Sequence, residues 1–297
     1  MGATEKRIFF AVLALLVLVA ALYAYQTLAS GAEAEVYAIS VILCREDANF
    51  EKGLNSAAIE HNADVHIVTL SGADEAAQAA ALEREVNNGA DAVVLCLGND
   101  RAAGDWLAEM NIAVPVVLVG DAVNTGKWMS AVSLDVDAQA QALVEEIKKQ
   151  PLRSLILVEA GESRTTRATR KGILRDALEN AGFTYDIVRA ANIVRLTPGL
   201  VYVALDPAAS LTLARLWTQG ALVYGMGYDP SLRDALESGH IEALVLASAF
   251  DAGYLALSDA AARIDGARAQ EIRLAPFIAR AENMYEAPMS TILFPIG

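Results

Sequence analysis

From Val36 onward the chain repeats one pattern: a short run of β-branched and aliphatic residues, a polar break, then a segment with apolar residues at helical spacing. This alternation restricts the fold more than any other feature, because strands joined by crossover helices pair in parallel with both sheet faces covered. The strand readings are VYAISVIL (36–43), DVHIVTL (64–70), DAVVLCL (91–97) and VPVVLVG (114–120). Between them NFEKGLNSAAIEHN, DEAAQAAALEREVNNG and DRAAGDWLAEMN read as helices, the second closed by an Asn-Asn-Gly stop. A second series opens with DVDAQAQALVEEIKKQ as a helix and continues through strands at 154–159, 184–190, 200–206, 221–227 and 242–248, with TRATRKGILRDALENAG as a helix after the first of these. The expectation is α/β architecture in two Rossmann-like, doubly wound parallel-sheet lobes. A helix over 250–265 is placed to return the chain to the first lobe.

The N-terminus belongs to a different regime. Ile8 to Tyr25 holds 18 residues without a charge, and at roughly 1.5 Å per helical residue this nearly matches a hydrocarbon core of ~30 Å. The run is long for a secretory signal core, so an uncleaved transmembrane anchor is favoured over a removed signal, although Ala32-Glu33-Ala34 offers a small-x-small cleavage pattern. Lys6 and Arg7 precede the run and acids dominate after it, which by the positive-inside bias puts the N-terminus in the cytoplasm and the folded part outside.

Composition removes several functions. A formal charge of −14 without a Lys/Arg stripe repels a polyphosphate backbone, so nucleic acid is not expected as a partner. His61, His66 and His240 lack metal-ligand spacing, no Ser sits in G-x-S-x-G, and no phosphate-cradling glycine loop occurs. No catalytic residue, metal or cofactor is therefore expected, and the chain reads as a binder rather than an enzyme. Cys44 and Cys96 end or interrupt strand-like runs that would be sheet neighbours, which leaves a disulfide or two buried thiols open.

In open α/β sheets ligands bind outside the C-terminal ends of the strands, where loops and helix N-termini converge. The residues expected there are Glu46, Asp47, Phe50, Asn99, Asp100, Asp121, Arg164, Arg167, Asp206, Tyr228, Asp229 and Ser248. Polar groups beside aromatics suit a hydroxylated ligand, while any one of these acids is as well explained as a helix N-cap. Arg164, Arg167, Arg170 and Lys171 cluster at a helix start, where positive charge opposes the macrodipole unless something anionic or polar compensates. Trp128, near the first passage between lobes, reads as packing beside a hinge.

With DANFEKGLNSAA, NNGADAVVLCLGND, NIAVPVVLVGD, GESRTTRATRKGILRDAL, YGMGYDP, ESGHIEALVLASAFDAGYLAL and IARAENM in this order, the chain resembles the type 1 periplasmic binding proteins of the ribose-binding kind from Val36 to Met284. The ligand cores of LacI-type repressors share that fold. The resemblance implies two lobes joined by three crossing strands, closing on a small polar, sugar-like ligand by hinge motion. It divides the chain into a stub with a membrane helix (1–30), lobe 1 (36–135 and 249–271) and lobe 2 (136–248 and 272–297).

Carried over residue by residue, Phe50 matches an aromatic that stacks on the sugar and Arg167 an arginine that binds its hydroxyls. Other positions depart: the Asp-Arg pair falls at Gly120-Asp121, Asn-Asp at Leu205-Asp206, the acid of a Gly-Phe-Asp turn at Gly227 with Asp229 two residues on, and a late Gln at Ala247. The ligand set expected from these matches and the topology is Phe50, Asp47, Asp121, Arg164, Arg167, Asp206, Tyr228 and Asp229. Between Ala190 and Leu200 the chain is too short for the helix normal to the family, which predicts a thinned second lobe with an apolar surface open to a partner. Two functions follow from the resemblance. One is a membrane-anchored solute-binding protein serving an ABC-type transporter permease; the other is a sensing or partner-binding module with a degenerate sugar site, working with a membrane sensor kinase. A repressor is excluded, since a membrane span stands where a DNA-binding headpiece belongs.

Overall fold

The aliphatic runs pair into two six-stranded sheets in the computed structural model of the chain, which describes residues 36–294 apart from 73, 98–105, 108, 121–128, 152–153 and 161–165, with backbone alone over 166–171. The first sheet holds β1 (Tyr37–Leu43), β2 (Ala63–Thr69), β3 (Ala92–Cys96), β4 (Val116–Gly120), β5 (Ser130–Leu134) and β11 (Glu271–Leu274), in the order β11-β5-β4-β3-β1-β2. The second holds β6 (Ser154–Glu159), β7 (Thr184–Arg189), β8 (Val201–Ala204), β9 (Leu222–Met226), β10 (Ala243–Leu246) and β12 (Phe277–Ala279), in the order β12-β10-β9-β8-β6-β7. The pairings β1–β3, β3–β4, β4–β5 and β5–β11 of the first sheet and β7–β6, β6–β8, β8–β9 and β9–β10 of the second are parallel, and β10 with β12 is antiparallel.

The helices are α1 (Ala48–Glu60), α2 (Glu75–Asn87), α3 (Val136–Lys148), α4 (Thr166–Asn180), α5 (Pro207–Arg215), α6 (Pro230–Glu237), α7 (Ala249–Ile264) and α8 (Met289–Leu293). Both faces of the central strands are covered, which is why those strands are continuous aliphatic runs. In the first lobe Leu82 of α2 and Leu107 pack with Val93, Leu95 and Leu118, and α7 lies on β3, β4 and β5 beside α1. In the second, Leu143 and Ile147 of α3 and Leu178 of α4 pack on Leu155 and Leu157. Leu213 of α5, Leu236 of α6 and Leu293 of α8 cover the opposite face through Tyr202 and Val223.

The chain passes between the sheets three times: after β5 at Asp135, after β10 at Ala247–Ser248, and between β11 and β12. Asp135 donates its backbone N–H to Leu274 O at 3.0 Å, tying the first passage to the third. The third passage lies after Leu274, beyond the boundary at 271 read from the sequence, because Glu271–Leu274 extends the first sheet beside β5. Strands β5, β11 and β12 escaped the sequence reading; each is three to five residues long, and serines or charges interrupt the apolar runs of β5 and β11.

The connection between β7 and β8 holds no α-helix, as its length predicts; Ala190–Asn192 forms one 3₁₀ turn there. The apolar surface left there is limited to Val194, 86% exposed in the connection, and Ile187 of β7, 44% exposed. Tyr185 packs toward α4, so the alternation of a strand turns Thr184 and Asp186 to the uncovered side, where both are exposed. Leu196, fully buried, fills the remaining space against the Val158–Tyr202 core.

Two glycines set the spacing of the outer layer in lobe 1. A Cβ at Gly53 of α1 would lie 2.0 Å from Phe250 O, and one at Gly253 of α7 would lie 2.1 Å from Phe50 O. The two helices therefore touch backbone to backbone. Two buried carboxylates add polar ties. Glu85 of α2 accepts from Ser40 Oγ of β1 at 3.0 Å and from Arg84 Nε at 3.1 Å, with His66 Nδ1 of β2 at 2.9 Å. Glu146 of α3 accepts from Arg280 Nε at 2.8 Å and from Lys149 Nζ. Burial alone raises both carboxyls, but the hydrogen bonds from His66, Arg84 and Ser40, and from Arg280 and Lys149, outweigh it and hold them below the ordinary carboxylate range. The apolar run Ile8–Tyr25 lies outside the described residues, among which no helix is long and apolar enough to cross a membrane.

Gly253→Ala is expected to lower unfolding stability by about 3 kcal/mol, read from urea midpoints, since the methyl meets main-chain oxygen that cannot rotate away. The lowered carboxyl groups stabilise the fold fully above their unfolded pKa, and this contribution falls away as pH drops through the folded values. Acid unfolding curves should accordingly show Glu146→Gln with a smaller loss of stability on acidification than the parent.

Candidate functional site

Parallel strands put their C-terminal ends on one rim, and here the rims of both sheets face a common cavity of about 390 Å³. Lobe 1 supplies Val119 and Gly120 from the end of β4, Val132 and Leu134 from β5, and Leu274 from β11. Lobe 2 supplies Met226 and Gly227 at the end of β9, then Val245 to Ser248 at the end of β10. All three passages border it, through Leu134, Ser248 and Leu274. The loop from β1 to α1 adds Arg45 and Asp47, and α3 adds Gln139. A neighbouring cavity of about 430 Å³ shares Arg45, Asp47 and Val119 and continues over Cys44, Phe50 and Cys96.

Local rules explain how these side chains reach the rim. Asp47 N-caps α1, its Oδ1 accepting from Asn49 N at 3.1 Å and Phe50 N at 3.2 Å. Ser248 caps α7 by accepting from Asp251 N at 3.0 Å. The C-terminal segment reaches both lobes: Asn49 Nδ2 donates to Ile292 O at 3.4 Å and Tyr228 Oη donates to Leu293 O at 3.3 Å. Burial pushes the Tyr228 phenol up, so it remains a neutral donor. Cys44 and Cys96 are free thiols, Cys44 Sγ donating to Cys96 O at 3.2 Å. Burial raises both, which keeps them protonated and poor nucleophiles.

Of the residues expected from the sequence, the cleft brings together Asp47, Tyr228 and Ser248. Phe50 is buried at 5% exposure and lines only the neighbouring cavity. Asp206 is a correction: it is 5% exposed, caps α5 through Ala209 N at 2.8 Å, and holds Ala160 N at 2.9 Å, so both its oxygens serve the fold. Asp229 is another correction. It caps α6 through Ser231 N at 2.8 Å and borders an outer groove between α5 and α6, away from the cleft. Asn99, Asp100, Asp121, Trp128 and Arg164 lie outside the described residues, as does the side chain of Arg167 on α4.

The turn after β9 explains one departure from the sugar-binding pattern. Gly227 has φ +81°, and a Cβ there would stand 2.5 Å from Pro207 Cγ, so no acid fits this position. Gln139, Asn49 and Arg45 escaped the sequence reading. Gln139 sits one turn into α3, where only the passage from lobe to lobe turns it to the cleft. Arg45, next to the expected Glu46, was within reach of the strand-end rule.

Residues 46–268 match the periplasmic binding protein domain family, and the chain belongs to that family. Solved structures share its fold. The periplasmic ribose ABC transporter protein of Conexibacter woesei is 16% identical with a TM-score of 0.74, over 87% of this chain and 98% of its own. An ABC transporter solute-binding protein of Agrobacterium vitis, bound with α-D-tagatopyranose, is 14% identical with a TM-score of 0.72, over 88% of this chain and 100% of its own. A chain of a structure described as a XylFII–LytSN complex is 12% identical with a TM-score of 0.68, over 84% of this chain and 99% of its own. No curated protein matches the sequence. The architecture is thus that of the type 1 periplasmic binding proteins, shared with sugar-binding solute receptors of ABC transporters.

Asp206→Ala removes a cap and leaves the Ala160 N–H unpaired, for an expected loss of about 2–4 kcal/mol. Chemical denaturation measures this; a variant of parental stability would return Asp206 to the ligand set.

Proposed function

We propose that this chain is a membrane-anchored, extracytoplasmic solute-binding protein that captures a small polar ligand between its lobes and presents it to an ABC-type permease. The observation that carries the reading is the cleft of about 390 Å³ at the C-terminal rims of both sheets, bordered by all three passages of the chain. A ligand that touches both lobes binds the closed form more tightly than the open one, so it drives hinge closure by its differential affinity. The uncharged run Ile8–Tyr25, preceded by Lys6 and Arg7, supports a tether with the lobes on the outer face.

A second reading has its own support. The altered sugar-reading positions, together with the likeness to a chain of a XylFII–LytSN complex, favour a module that reports occupancy to a membrane signalling protein. Binding and partner contact are then two steps of one device, and the cleft is needed in both.

Thermal denaturation of the purified chain against sugars, polyols, nucleosides and carboxylic or amino acids tests the binding reading. A true ligand at a hundredfold excess over Kd adds about 2.7 kcal/mol, a Tm rise of roughly 5–10 °C. Absence of a shift with every class overturns it. Protease accessibility of the lobes in intact cells tests the orientation, with cleavage expected from outside.

A further inference from the structure

Strand β7 ends the second sheet with no strand beyond it, and no α-helix follows it. The hydrogen bonding of its neighbours fixes which of its backbone groups are left over. Leu205 N donates to Val158 O at 2.8 Å, so Val158 of β6 turns its backbone toward β8, and Leu157 turns its own toward β7. In the parallel register Leu157 lies level with Ile187 and bonds to the residues on either side of it, Asp186 and Val188. The N–H and C=O groups of Tyr185, Ile187 and Arg189 therefore point away from the sheet, as an unpaired edge.

Side chains distinguish this edge from the corresponding one of the first sheet. Ile187 is 44% exposed, whereas β2 carries no exposed large apolar side chain among the described residues. Strand alternation puts Ile187 and Arg189 on the same face as Tyr185, the face toward α4. Tyr185 Oη donates to Glu179 Oε1 of α4 at 2.7 Å, and Glu179 remains 57% exposed. Arg189 is exposed and makes no ion pair among the described residues.

We infer that two copies of this chain pair through β7, antiparallel about a twofold axis at Ile187. Only residues that both turn their backbone outward can exchange ladder bonds, and a twofold axis makes the contact self-complementary. In this register Ile187 meets its own counterpart, and Tyr185 meets Arg189 of the second copy, so every outward group of the strand finds a partner. Each Arg189 then stands within reach of the Tyr185 ring and the Glu179 carboxylate of the other copy, at both ends of the pair. Asp186 faces Val188, and no like charges lie opposite each other. Neighbouring registers lose these matches. An axis at Asp186 sets two carboxylates together, and an axis at Val188 puts Tyr185 opposite Ala191, inside the 3₁₀ turn. A single strand thus carries both halves of each contact, which favours a second copy over an unrelated strand.

Sedimentation equilibrium of the full chain in detergent over about 1–100 μM reads the association. The parent should dimerise. Ile187→Lys and Ile187→Glu each bring like charges together on the axis and should weaken the dimer at least about tenfold. Mixing the two variants should restore a dimer, a result that a folding defect in either could not give. Under an added thiol oxidant Ile187→Cys should cross-link between copies, since residues paired on the axis have Cα atoms about 5.5 Å apart. Thr184→Cys, about 20 Å from its counterpart in this register, should not, and the parent with its native cysteines serves as the blank. A parent that stays monomeric overturns the inference, as does a mixture that fails to associate or a Thr184→Cys chain that cross-links as fast as Ile187→Cys. A dimer that Ile187→Lys leaves intact belongs to another surface, the apolar N-terminal run included, and overturns it too. None of these results bears on the solute-binding reading.

Discussion

Helices α1 and α7 lie against each other with no side chain between them, because Gly53 meets the Phe250 carbonyl and Gly253 meets that of Phe50. Each helix begins at the cleft rim, one under the Asp47 cap and the other under the Ser248 cap. The glycine contact fixes these N-termini side by side. Since α7 directly follows the second passage between the sheets, it also fixes where that passage enters lobe 1. The position of Arg45, Asp47, Asn49 and Ser248 around one cavity descends from this close approach, which any larger residue at either glycine would prevent.

The second lobe meets a different constraint. With one helix fewer than the alternating pattern requires, the sheet edge at β7 is left bare on one side, and an apolar strand there would invite pairing or aggregation. Thr184 and Asp186 face that side, while Tyr185 turns inward toward α4. Leu196 closes the gap that remains. The shortened connection is thus absorbed largely by strand alternation and one buried leucine, with Val194 and Ile187 left exposed beside it.

The two lobes, their parallel sheets and the helices between them were legible in the sequence because period and turn chemistry are local. The short strands flanking the passages were not, since β11 and β12 exist only by pairing with β5 and β10, residues distant in the chain. The site was half legible. The strand-end rule found Asp47, Tyr228 and Ser248, yet it gave equal weight to Asp206 and Asp229, which the fold spends on helix caps and, for Asp206, on Ala160 N. An Asp before a helix looks the same in sequence whether or not its second oxygen is free.

What the sequence determined by itself was the order of elements, the doubly wound class and the rim that forms the candidate site, all consequences of hydrophobic period and chain direction. Only the tertiary structure decided which polar groups at that rim are uncommitted. Carbonyls of the C-terminal segment accept from Asn49 Nδ2 and Tyr228 Oη, the Pro207 ring keeps Gly227 bare, and the first passage brings Gln139 to the cavity. Those facts depend on contacts between residues up to 243 positions apart, and no local pattern in the chain encodes them.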